Sequence, residues 1–464
     1  MSTIRIPEQI WDMVHSHLFS SMGEHFAFML ARWTYSLGDP VFMVYDVKLV
    51  PDDQVKFGRQ GWELSTQGIL NVINAAVRAG AALIEVHNHG GVLPRFSYTD
   101  REGLKEFPAY VLSSLPRRPY AATVWGDATV YGEFFLPDGR SGILGSITVV
   151  GNSFRQMVSR DDDEDPIEVR FDRQLPWFTP EGQRMLARFK IGIAGNGGTG
   201  SQVIQYLAYL GARDFILVDD DDSDDTSMNR QVTAFASDIG KPKVILGRQL
   251  IQGVAPNAVV NVVRAKVQSA EALDALKGVD LLFGCFDNDA PRLILNELAL
   301  AYGVPYFDLA VGIDAEEGKV SIAGGRVAAV LPGGPCLNCM GEIDPEEARF
   351  FLSSPDEQAA QVARGYVRGM DVKAPSVVSL NGLIAAVATN EFAIYVSALR
   401  PVNFYSELDL LGVGRPIKGQ WLSPRRVQTK SGCIQCAAAG TGDAAGIERY
   451  SGHGQRQDPL PSSI

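Results

Sequence analysis

Residues 191–211 read Ile191-Gly-Ile-Ala-Gly-Asn-Gly-Gly-Thr-Gly-Ser-Gln-Val-Ile-Gln-Tyr-Leu-Ala-Tyr-Leu-Gly211. The run ARFKIGIAG (187–195) has the short apolar character of a buried strand. Gly195, Gly197, Gly198 and Gly200 then crowd a turn, helical spacing begins at 201, and FILVDD (215–220) reads as the next strand. A glycine-rich turn between strand and helix lets backbone N–H groups approach a phosphate at the helix N-terminus. A second strand-plus-helix unit follows at DLLFGCFDNDAPRLILNELALAYG (280–303). Strands alternating with helices predict a parallel, doubly wound α/β sheet.

The loop by itself suits a nicotinamide dinucleotide as well as ATP, and an acidic residue about 20 positions on, Asp219 or Asp221, would meet a ribose in either case. The flanking residues favour ATP. Asn229-Arg230-Gln231 follows the acidic strand end, Lys243 comes a dozen residues later, and Asp287, Asn288 and Arg292 close the next strand pattern. Cations that neutralise a triphosphate and a carboxylate that holds Mg²⁺ serve adenylation, whereas hydride transfer needs neither.

In this order the segments resemble the ThiF and ubiquitin-activating superfamily over residues 168–436. The family's run "D-x-D…S-N-L-x-R-Q" is written here Asp219-Asp220-Asp221…Thr226-Ser227-Met228-Asn229-Arg230-Gln231, with Ser227 where an asparagine is usual. The resemblance implies ATP·Mg²⁺-dependent adenylation of the C-terminus of a small ubiquitin-like protein, with Arg230, Lys243 and Asp287 in catalytic roles. The segment RFDRQLPWF (170–178) resembles the family's "R-Y-x-R-Q", whose arginine, here Arg173, reaches a neighbouring subunit's ATP site and implies a homodimer. A surface arginine on a helix is the plainer alternative.

Cys336-Leu-Asn-Cys339 and Cys433-Ile-Gln-Cys436 supply four thiolates, the donor set of a closed structural zinc site. They match the zinc staple of the same superfamily. Relatives that form a thioester carry its cysteine in the segment that reads KAPSVVSLNGLIAAVATNEF (373–392) here, without one. Cys285 is expected to be a buried strand residue, and Ser376 is a weaker acyl acceptor because no activating base accompanies it.

A second motif lies upstream. In EVHNHGGVLPRFSYTD (85–100), His87 and His89 are two apart, so a strand would project both imidazoles from one face. With Asp100 they form a three-ligand zinc set whose fourth position stays open to water. Ser97-x-x-Asp100 also has nearly the form of a helix capping box, and the two readings are compatible. The spacing H-x-H-x7-S-x2-D resembles the JAMM motif of JAB/MPN-type metallopeptidases, with Gly90 where proline is usual. The resemblance implies that His87, His89 and Asp100 bind catalytic zinc. It makes Glu24, expected on the first helix, the general acid/base, and Ser97 an oxyanion donor. The other histidines in this region, His15, His17 and His25, are read as surface or packing residues because no suitably placed carboxylate follows them.

These segments divide the chain into a JAB/MPN-like α+β domain at 1–150, an acidic linker at 151–167 and the ThiF-like domain at 168–436. Residues 437–464 form a tail expected to be disordered. Within the first domain, GILNVINAAVRAGA (68–81) reads as a helix and ALIEVHNH (82–89) as a strand.

A net charge of −12 without a dense basic block argues against nucleic acid or an anionic membrane as the main partner. No signal peptide or membrane span is evident, and five cysteines in 464 residues point to a reducing cytoplasm. The combined expectation is a bifunctional enzyme acting on one ubiquitin-like tail, with a ubiquitin-conjugating-type enzyme as a further partner. The alternative is activation of a sulfur-carrier protein for cofactor or metabolite synthesis. A non-catalytic nucleotide-binding module with a decayed peptidase ranks behind both.

Overall fold

The computed structural model describes residues 2–58, 61–89, 94–126, 129–151, 154–158, 166–316, 319–363, 375–412 and 422–453. The chain divides into two compact units, residues 1–164 with 440–444, and residues 165–439 with 445–464. Gly90, most of the acidic linker and residues 454–464 lie outside the described residues.

The first unit is a nine-stranded mixed sheet. Its strand order is Arg155–Val158, Ser146–Val150, Thr3–Pro7, Asp39–Leu49, Phe26–Ser36, Ala82–Asn88, Tyr120–Trp125, Val130–Phe135 and Ser141–Ile143. Both faces of its centre are buried, which is why strand Phe26–Ser36 is apolar at successive positions rather than alternating. Ala27, Met29 and Ala31 pack with Trp11, Val14 and Leu18 of helix Glu8–Leu18. Phe26, Phe28 and Leu30 pack with Val72, Ile73 and Val111 from helices Thr66–Ala79 and Tyr98–Ser114. The expected helix at 68–81 is Thr66–Ala79, capped by the Ser65 hydroxyl, which accepts from the Gly68 N–H, and ended by left-handed Gly80. The expected strand at 82–89 runs Ala82–Asn88, with Ala82, Ile84 and Val86 facing the first cluster and Leu83 the second.

The second unit has the α/β Rossmann-like plan with a mixed sheet. Strands Val259–Val263, Asp214–Val218, Lys190–Ala194, Leu281–Gly284 and Tyr306–Glu316 are parallel in that spatial order. Lys319–Val330, Tyr405–Asp409 and Leu422–Pro424 continue it antiparallel. Strand order reverses at Lys190–Ala194, so a crevice opens between the ends of that strand and of Leu281–Gly284, the usual ligand position in such sheets. Helix Gly198–Leu210 starts at this crevice.

The expected disordered tail is corrected over its first part. Residues Gly442–Ala445 and Ile447–His453 form short 3-10 helices, with Ile447 and Tyr450 buried and the Tyr450 hydroxyl donating to Glu297 at 3.0 Å. Two apolar anchors in a polar stretch outweigh its composition. Among the described residues no helix is long and apolar enough to cross a membrane.

Candidate functional site

At the crevice lies a cavity of about 590 Å³ lined by Gly195, Gly197, Gly198, Thr199, Asp219, Asp221, Ser227, Arg230, Lys243 and Asp287, among others. Its floor requires glycine at two places. Gly195 has φ +85°, and a Cβ on Gly200 would stand 1.8 Å from the Gly195 carbonyl oxygen. Asp219 is buried, accepting the Asn196 N–H and the Asp221 N–H at 2.9 Å. Burial pushes its carboxyl up to about 6, against the pull of Lys243 and the two backbone N–H groups. Lys243 opens a helix and donates to Asp221 at 2.6 Å. Arg230 donates to the Thr226 carbonyl and to Asn229 Oδ1 at 3.0 Å. Asp287 is exposed on the cavity wall beside Asn288, which caps helix Asp289–Tyr302.

Several sequence expectations shift here. Asn229 does not line the cavity; its amide reaches the Ser376 carbonyl at 3.4 Å. Ser227 does line it, though its hydroxyl is engaged with the backbone of Asp224. Arg292 turns away into a buried network with Asp289, Asp308 and Arg326, because Asp308 is fully buried and needs counter-charge. Cys285 lies just past its strand and lines the cavity, half-buried, with burial pushing its thiol up and so away from nucleophilic form. Ser376 also lines it, and among the described residues its hydroxyl pairs with the Asn381 amide at 3.0 Å. Arg173 is exposed on the 3-10 helix Val169–Gln174 and does not line its own chain's cavity. Lys266, Gln268 and Asn381 line the cavity without having stood out in the sequence, since no motif marks them.

The four cysteine sulfurs form one cluster, with Cys336–Cys339, Cys336–Cys433 and Cys339–Cys436 at 3.6, 3.7 and 3.5 Å. A tetrahedral zinc with Zn–S of about 2.3 Å sets its sulfurs roughly 3.8 Å apart, so the donors fit the ion. The spacing is far beyond a disulfide. The Lys430 N–H and the Asn338 amide point at the Cys339 and Cys433 sulfurs, as ligand thiolates call for.

In the first unit, one ligand atom each of His87, His89 and Asp100 lies within 4.8 Å of the others. Asp100 Oδ2 is 3.6 Å from His87 Nε2 and 3.4 Å from His89 Nε2. Ligands around a tetrahedral zinc at about 2.1 Å stand roughly 3.4 Å apart. Nε2 of His87 and Nε2 of His89 are buried without a hydrogen-bond partner and both face Asp100 Oδ2, which a cation between them would explain, while Nδ1 of His87 lies 4.0 Å from Glu85 Oε1. The residues present fit zinc. Burial raises the Asp100 carboxyl, but pairing with His87 and with the Ser97 hydroxyl and N–H outweighs it, leaving it well below the usual carboxylate range. The capping box is also real: Ser97 Oγ accepts the Asp100 N–H at 3.2 Å, and Asp100 Oδ2 accepts the Ser97 N–H at 2.6 Å. One aspartate therefore serves the cap and the cluster. Glu24 Oε1 stands 3.5 Å from His89 Nε2. It is not on the first helix, which ends at Leu18; it precedes strand Phe26–Ser36, past a turn at left-handed Gly23. His17 and His25 are held by the Phe26 carbonyl and Ser21, and His15 packs on Trp11 and Phe19.

The ThiF family model matches residues 171–415, more than half of the chain and wholly inside the second unit. The chain belongs to the ThiF family. A SAMP-activating enzyme E1 of Haloferax volcanii is 30% identical over 167 residues, 36% of this chain and 58% of that one. The sulfur carrier protein adenylyltransferase of Thermus thermophilus is 29% identical over 261 residues, 54% of this chain and 81% of that one. The adenylyltransferase and sulfurtransferase UBA4 of Yarrowia lipolytica is 30% identical over 178 residues, 38% of this chain and 43% of that one. The chain thus covers about half the length of two of these three relatives. A crystal structure of E. coli MccB with ATP overlaps 58% of this chain and 75% of its own at 20% identity and a TM-score of 0.44.

Proposed function

We propose that the second unit adenylates the C-terminal carboxylate of a small ubiquitin-fold carrier protein. The observation that carries this reading is the convergence of the glycine loop, Asp219, Arg230, Lys243 and Asp287 on one cavity in a ThiF-family chain. ATP would lay its phosphates against Gly197, Gly198 and the first N–H groups of helix Gly198–Leu210, with Asp219 on the ribose. Arg230 and Lys243 offset the triphosphate charge, and exposed Asp287 is placed to hold Mg²⁺. A carboxylate oxygen attacks the α-phosphorus, the bond to the bridging oxygen breaks, and pyrophosphate leaves. With Cys285 disfavoured as a nucleophile and the Ser376 hydroxyl paired with the Asn381 amide, the acyl-adenylate is the product handed to a partner's thiol.

The names of the Thermus and Yarrowia relatives favour a sulfur-carrier protein as the substrate over a protein-conjugation system. The Haloferax relative keeps conjugation, and a ubiquitin-conjugating-type partner, as the second reading. A homodimer in which Arg173 serves the other subunit's cavity completes the proposal, and a reducing cytoplasm suits the four-thiolate cluster.

For the first unit we propose a zinc-dependent peptidase that trims or releases the same tail, supported by the unpartnered ring nitrogens between His87, His89 and Asp100. Zinc there would supply Lewis acidity to a water and a carbonyl. Glu24 would carry the proton from the water to the leaving amine, and the Ser97 hydroxyl would turn its hydrogen from Asp100 to the developing oxyanion.

The deciding experiment is ATP–pyrophosphate exchange by the full chain with small ubiquitin-fold proteins encoded beside its gene. Exchange with one of them is expected. Absence of exchange with every such protein, in the presence of bound ATP, would overturn the adenylation reading.

A further inference from the structure

Asn88 stands between the two histidines, and its side chain leaves the strand on the opposite face from His87. The ladder between strands Phe26–Ser36 and Ala82–Asn88 has its last pair at Phe26 and His87. Beyond that pair the Asn88 amide replaces the missing backbone partner. Its Oδ1 accepts the His25 N–H at 2.6 Å, and its Nδ2 donates to the Gly23 carbonyl at 3.1 Å. The side chain is buried, 5% exposed, so neither bond has water as a ready substitute. Residues 23 and 25 are the two neighbours of Glu24, which stands 3.5 Å from His89. A side-chain amide satisfies both partners at once, since one offers a donor and the other an acceptor.

We infer that Asn88 is a positioning residue that clamps the backbone on both sides of Glu24 and so sets the carboxylate against His89. The inference rests on the peptidase reading for its catalytic consequence, but the clamp itself is testable without it. Holding a proton-transfer group to a fraction of an ångström matters because a displacement of about 1 Å can cost about 100-fold in rate.

The test uses the full chain with Asn88→Ala and the isosteric Asn88→Asp, which keeps the acceptor and loses the donor. In metal-free protein, amide hydrogen exchange over residues 19–25 is expected to accelerate at least about tenfold in both variants, with strand Phe26–Ser36 unchanged. Unaltered exchange over 19–25 would overturn the clamp whatever the protein's activity. In zinc-loaded protein, with a ubiquitin-fold protein bearing a C-terminal fluorogenic amide as probe, kcat should fall about 100-fold with KM nearly constant and zinc content unchanged. Adding Asn88→Ala to Glu24→Gln should cost nothing further; an additive loss would show that Asn88 acts otherwise than through Glu24. Failure of wild-type chain to cleave any such probe sinks the peptidase reading and leaves the exchange result standing.

Discussion

A carbonyl oxygen at 1.8 Å from where a Cβ would stand makes Gly200 irreplaceable. In Gly200→Ala the start of helix Gly198–Leu210 must shift off the Gly195 turn. We expect a loss of more than about 3 kcal/mol by urea unfolding, and no ATP binding by calorimetry. A variant within about 1 kcal/mol of wild type would show that the turn can relax. Asp219 permits a pH test. If its carboxylate holds the ribose, ATP affinity falls as pH drops through about 6, approaching tenfold per unit, and Asp219→Asn flattens the profile. The stability effect has the opposite sign. A carboxyl raised above its unfolded value contributes most at low pH and loses that contribution as pH rises through about 6. Affinity that does not change between about pH 5 and 7 would remove Asp219 from the nucleotide site.

Helix Asp289–Tyr302 ties the nucleotide cavity to the cysteine cluster. Its N-terminus presents Asn288 and Asp287, while Asn296 accepts the Leu337 N–H and donates to Gln435 at 2.8 Å, so it touches both C-x-x-C segments. Below it, Arg292 and Arg326 share buried Asp308, and Arg326 also pairs with Glu342 just past Cys339. Asp308→Ala would leave Arg292 with only Asp289 and Arg326 with only Glu342 as carboxylate partners, and a loss of about 3 kcal/mol is expected in denaturant titration of the full chain. Arg292 was legible as a cation near the phosphates, but nothing local to its segment announces that Asp308, sixteen residues on, claims it. Glu24 shows the same limit: its identity was legible, its element was not, because Gly23 and Asn88 set the turn.

For the molecule as a whole, the two proposed zinc sites, with different donor sets, predict about two zincs per chain by elemental analysis. Cys336→Ser should remove one and His87→Ala the other. Glu24→Gln is expected to cut tail cleavage about 10²–10⁴-fold while retaining zinc and pyrophosphate exchange. Asp287→Ala or Lys243→Ala should abolish exchange and spare cleavage. Equal loss of both activities in any of these variants would contradict separate sites.

The sequence alone determined the alternating strand–helix order, the glycine turn, the acidic strand end, and the H-x-H and C-x-x-C donor sets. Each depends on residues close together along the chain, where spacing and backbone geometry are enough to read the chemistry. Tertiary structure alone decided which candidates converge. It brought Lys266 and Asn381 to the cavity, removed Asn229 and Arg292 from it, and set Glu24 beside His89. It also anchored part of the tail through Ile447 and Tyr450. Those outcomes depend on burial of charge and on hydrogen bonds between residues tens to hundreds of positions apart, a balance that no local pattern encodes.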